Sequence, residues 1–177
     1  MRLFFLIISV VIISACSGDN VKPVVSDAPA EGEIPAHESW NSKIIFSNDG
    51  VLKAILYADH LRKYDEKRVT LLDGVKIDFY DENKKTTTLT SLRGKVDDRT
   101  MDMFAYDSVV AVNDSGTVLK TSELMWRNSD RKILTDKFVS IKSKDEIIEG
   151  YGFLSDQQMT NYVIFKITYS ATLNNRE

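Results

Sequence analysis

From Trp40 onward the chain is a run of hairpins, and one unit recurs about every 30 residues. Val75-Lys76-Ile77, Val110-Ala111-Val112 and Val139-Ser140-Ile141 each lead into a polar turn. The turns are Asp81-Glu82-Asn83-Lys84, Asn113-Asp114-Ser115-Gly116 and Ser143-Lys144-Asp145. A second triplet follows each: Leu89-Thr90-Ser91, Leu119-Lys120-Thr121 and Ile148-Glu149-Gly150. A weaker copy, Leu52-Lys53-Ala54, follows Asn48-Asp49-Gly50. One hairpin per unit at this period predicts a stacked β architecture.

The alternation agrees. Val75, Ile77 and Phe79 fall on one face, with Lys76 and Asp78 on the other. Period two with polar partners is the requirement of a half-buried strand. Asn, Asp and Gly supply the turns because they tolerate positive φ. Residues 58–67 read as a short helical turn or as a strand with its loop. No longer amphipathic helix is present, so the fold class is all-β. From the repeat register, Val75, Ile77, Phe79, Leu89, Val110, Val112, Leu119, Trp126, Val139 and Ile141 are expected to face inward. Met101 and Met103 are expected on one face of a strand, with Phe104 and Tyr106 on the other. These apolar faces suit a plain sandwich core, or two sheets that stay partly open and admit a lipid chain.

The N-terminus reads differently. Arg2 precedes an apolar run from Leu3 to Ile13, and Ser14-Ala15 precede Cys16, the only cysteine. A basic start, a short apolar run and small residues before a cut make a secretory signal. A bilayer span needs about 20 apolar residues, so the run is too short for one. A cysteine at this place resembles the acylated cysteine of a bacterial lipoprotein; the alternative is an ordinary signal with an incidental cysteine. The expected organisation is a signal over residues 1–15, a lipidated N-terminus and disordered tether over 16–38, a β domain over 39–173 and a tail over 174–177. All three prolines (Pro23, Pro29, Pro35) lie in the tether. As a flexible coil its 22 residues after Cys16 reach about 25 Å, or about 75 Å fully stretched. Without the signal the chain carries 22 basic and 26 acidic groups, a net −4, which argues against a nucleic-acid partner. With Cys16 acylated no thiol remains for a disulfide, a metal or a nucleophile.

Catalytic chemistry is not legible. His37 falls in the tether and His60 reads as a surface residue. Asp97-Asp98 reads as a turn, since successive strand residues point to opposite faces. No nucleophile elbow, zinc spacing, calcium loop or phosphate-cradling loop is present. The chain is expected not to be an enzyme and to need no cofactor or metal.

Several segments in order resemble the LptC family, the periplasmic component of lipopolysaccharide export. They are Ile45-Phe46-Ser47-Asn48-Asp49-Gly50, Leu72-Asp73-Gly74-Val75 with Phe79-Tyr80, and Leu89-Thr90-Ser91. Gly116-Thr117-Val118-Leu119-Lys120-Thr121-Ser122-Glu123-Leu124-Met125-Trp126 and Leu134-Thr135-Asp136 follow. Glu149-Gly150-Tyr151-Gly152-Phe153-Leu154-Ser155-Asp156 ends the series. The resemblance implies an open V-shaped β-jellyroll of two antiparallel sheets whose trough holds acyl chains of lipopolysaccharide. The partners it implies are an inner-membrane LptBFG-type ABC transporter and an LptA-like periplasmic bridge protein. The family usually carries a transmembrane helix, where this chain has its cysteine and tether. The implied place is the periplasmic face of the inner membrane, with the outer membrane as the other sorting outcome. Tyr162, Ile164, Lys166 and Thr168, in the last apolar segment, are the expected partner edge. The competing function is an assembly scaffold that pairs β-edges and binds no lipid.

Overall fold

The structure, a computed structural model, describes residues 34–173. Its strands are β1 (His37–Asn48), β2 (Val51–Tyr64), β3 (Val69–Asp81), β4 (Lys84–Asp97), β5 (Met103–Asn113), β6 (Val118–Arg127), β7 (Lys132–Lys142), β8 (Glu146–Ser155) and β9 (Tyr162–Thr172). All pair antiparallel, each with its neighbour in sequence, as one sheet from β1 to β9. The two end strands do not meet, so the sheet is open. β1 starts just past Pro35, because proline cannot serve a strand's ladder. His37 and Glu38 therefore belong to the strand, two residues inside the expected tether. Cys16, the signal and most of the tether lie outside the described residues.

The hairpin turns stand where the polar clusters put them. Asp49 and Gly50 have φ of 50° and 76°, and Glu82 and Asn83 have 47° and 63°, as a two-residue type I′ turn demands. Glu82 is the poor fit, because an unbranched L-residue with no local hydrogen bond gains nothing in the left-handed region. Glu82→Asn should stabilise the domain by about 0.5–1 kcal/mol. A rise in the urea midpoint at constant slope would show it; a fall would refute the strain.

The inward face is written in rows across the strands. Ile44, Leu56, Ile77, Leu89, Ala111, Leu119, Ile141 and Ile148 pair successively from β1 to β8. All but the two end members of this row are buried. The row corrects one expectation: Val110 and Val112 face outward, while Val109 and Ala111 face in. Ala111 pairs with both Leu89 and Leu119, so two inward leucines fix its side.

Each strand also breaks its alternation near the middle. The inward series jumps from Ala58 to Leu61, from Leu72 to Val75, from Ala105 to Val109 and from Gly150 to Phe153. Positive φ marks the line at Asn41, Gly74, Asp107, Ser108 and Gly152. Register shifts fall there between β4 and β5, β5 and β6, β6 and β7, and β7 and β8. Bulges bend strands and sharpen twist, so a line of them creases the sheet into two facing halves. Phe79 and Trp126 meet across the fold, three strands apart, with ring centroids 6.0 Å apart. The two layers of the jellyroll are thus halves of one continuous ladder. The 58–67 segment is strand β2 followed by a turn, not a helix. Met101 is not on a strand; it precedes β5 at φ 61°, its N–H donated to Asp97 O.

Candidate binding cleft

The halves are sealed in the middle and separate at one edge. Val75, Ile77, Phe79, Leu89, Leu119, Trp126, Val139 and Ile141 are all at most 5% exposed. They pack against one another in the sealed middle, and of them only Trp126 also reaches a cleft. On the margin away from β1, the loop 156–161 bridges the halves. Thr87 Oγ1 donates to Gln157 O (3.0 Å) and Gln157 Nε2 to Tyr80 O (3.2 Å), while Asn113 Nδ2 donates to Gln158 O (3.2 Å). Met159, at 2% exposed, plugs the space beneath.

Along β1 no such closure exists among the described residues. A cleft of about 540 Å³ runs between the halves, walled by Trp40, Ile44, Phe46, Leu61, Val96 and Met101. Lys43, Lys63, His37 and Asp98 stand among its lining residues. A second cleft of about 460 Å³ shares Phe46 and Met101 with it, so the two adjoin. This second space is polar, with Ser47, Asn48, Lys53, Asn128, Ser129 and Arg131 around Trp126. The turn that carries Asn128 is held down, its N–H donated to Asp102 Oδ1 and its amide to Thr100 O. Arg127 donates to both oxygens of Asp130 (2.9 and 2.6 Å) and holds that carboxyl below its ordinary range. The indole N–H of Trp126 is buried and has no acceptor among the described residues.

His60 stands half-buried at the surface, held by its neighbours. Trp40 stacks on it at 5.1 Å, Glu38 Oε1 lies 2.7 Å from Nε2, and Asp73 Oδ2 lies 3.4 Å from Nδ1. The cluster ties the edge strand β1 to β2 and β3. Asp97 is the turn residue expected: its Oδ1 accepts the N–H of Arg99 (2.9 Å), and that bond holds its carboxyl low.

At the other edge, among the described residues, β9 pairs only with β8. Tyr162 and Ile164 point inward and are half-buried, while Lys166 and Thr168 are exposed. Burial first, then the Glu146 carboxylate to which it donates, raises the Tyr162 hydroxyl above its ordinary value. The outer face nearby carries Phe138 and Tyr151 edge to face (5.4 Å), and Phe165 covers Gly152.

The family model for lipopolysaccharide-assembly, LptC-related proteins matches residues 3–162. The chain belongs to the LptC family. Its role therefore lies in periplasmic lipopolysaccharide transport, among transport components. The fold is also similar to the crystal structure of LptH, the LptA-homologous periplasmic component of the lipopolysaccharide transport device from Pseudomonas aeruginosa. That match has a TM-score of 0.52 at 12% identity, over 68% of this chain and 93% of that one. It bears on the fold alone. No curated protein matches the sequence.

In this LptC chain Trp126 is the one residue singled out by the hairpin repeat that lines either cleft. Trp40, Ile44, Leu61 and Val96 were missed, because β1 and the lower strand halves lie outside the repeated triplets. The signal for them was present in Ile44-Ile45-Phe46, a β-type run next to an Asn-Asp-Gly turn.

Proposed function

We propose that the domain shields acyl chains of lipopolysaccharide in the cleft along β1 and passes them from an inner-membrane ABC transporter to a periplasmic bridge. The observation that carries this is the cleft itself, apolar, open to solvent and walled by large side chains from both halves. Each methylene kept from water is worth about 0.8 kcal/mol, so a free acyl chain cannot cross an aqueous space unprotected. A cleft lowers that barrier without chemistry. Direction must come from the partner's ATP cycle.

The sealed candidates, Phe79 and its neighbours, are on this reading the floor of the fold. They meet lipid only where the halves part. β9, with one row of backbone groups unpaired, is the proposed edge for the next jellyroll. Cys16 is the proposed acylated anchor, and the tether gives the domain its reach from the membrane. Bare edges also suit the scaffold reading, but a scaffold has no use for an open apolar cleft.

Photocrosslinking tests the assignment. A photoreactive residue at Ile44 or Phe46 should label lipopolysaccharide in cells, while Lys76 and Val112, on the outer face, should stay at background. Equal labelling at Ile44 and Lys76 would sink the cleft.

A further inference from the structure

We propose that Lys53 and Arg131 clamp the phosphate of an amphiphile whose acyl chains lie in the adjoining apolar cleft; this rests on the chain-binding reading and names the headgroup chemistry it leaves open. The apolar cleft and the polar mouth share Phe46 and Met101. Chain-binding and head-binding surfaces thus follow each other in the order of an amphiphile's own parts. The cations enter from opposite sides, Lys53 from the start of β2 and Arg131 from the turn before β7.

Neither has an ion-pair partner among the described residues, and Lys53 is partly buried. Asp81, Asp130 and Asp156 share a smaller space with both cations but make their hydrogen bonds to other groups. Asp130 is held by Arg127. Asp156 accepts the N–H groups of Thr160 and Asn161, and Asp81 accepts from Gln158 Nε2. No described carboxylate lies within ion-pair distance of Lys53 or Arg131, and an ammonium beside a guanidinium at one mouth matches a phosphate's oxygens. Ser129 on the same wall adds a neutral donor. The free ion and a lipid headgroup share this chemistry; the adjoining apolar cleft favours the lipid.

The test uses the full-length chain in mild detergent, with phosphorylated and dephosphorylated lipid A as probes. The only two tryptophans, Trp40 and Trp126, line the two clefts and report binding by fluorescence. The wild type should prefer the phosphorylated lipid by about tenfold, the scale of charge-assisted contacts. Lys53→Gln with Arg131→Gln should abolish the preference and leave binding of the dephosphorylated lipid unchanged. Lys53→Arg with Arg131→Lys should keep it. Equal binding of both lipids by the wild type, or an undiminished preference in the Gln variant, overturns the clamp alone. Binding of neither lipid overturns the acyl-chain reading instead. A large excess of inorganic phosphate should not displace the lipid; displacement would assign the site to the free ion and overturn the proposal.

Discussion

Phe79→Ala is expected to cost about 3–5 kcal/mol of folding stability. Phe79 is fully buried, lies against Trp126 from the facing half, and pairs with Ala54 and Thr87 in its own. Ala54 is too small to fill the vacated space, and Trp126 is pinned by its place in β6. The cavity would therefore stay open. Against a total of about 5–15 kcal/mol for a domain this is a large share. Urea unfolding followed by tryptophan fluorescence measures it, because Trp126 sits at the cavity wall. Val112→Ala, on the outer face, should stay within about 0.5 kcal/mol. A loss below about 1 kcal/mol for Phe79→Ala would mean that the halves are not packed as described.

Gly150→Val should free β9 from the sheet. A Cβ on Gly150 would run into Lys166 O, would lie 2.8 Å from Ile164 Cγ2 and would come 3.0 Å from Ile167 Cα. Two of these are backbone atoms of the partner strand, which cannot swing aside as a side chain does. Overpacking costs about 1–3 kcal/mol in a core, and here, among the described residues, the ladder to β8 is the only sheet pairing that holds the strand. Hydrogen exchange should show fast amides over 162–172 and unchanged protection in β3–β6. Capture of a neighbouring jellyroll at this edge should fail together with β9. Full protection of β9 in the variant would remove both the packing and the edge assignment.

The hairpins were legible in the sequence because their turns are chemical. Asn48-Asp49-Gly50 and Asn113-Asp114-Ser115-Gly116 are residues that accept positive φ, and they turn the chain where they stand. The crease was not legible, because a bulge is a change of phase. Ala58 and Leu61 are three residues apart with polar residues between, a spacing that imitates a helix. In β5, Val109-Val110-Ala111-Val112 is apolar in both phases, and the larger pair is the one that faces out. Only the neighbours settle it, since Leu89 and Leu119 both require Ala111 between them. The cleft was hidden for a related reason. The hairpin repeat names residues that every unit shares, and those fill the sealed middle. An opening forms where the series stops, at β1, and its lining is particular to that end.

The sequence-order pairing of the strands also bears on how the chain reaches its native state. No strand waits for a distant segment before it can dock. Each new strand needs only the one made before it, so ordering proceeds through small closures between near neighbours, the local kind of contact that speeds β folding. A chain delivered N-terminus first can lay down its sheet in the order of arrival, from β1 onward. The exposed growing edge advances until β9, and the same template that accepted each strand of this chain is then free for a strand of another.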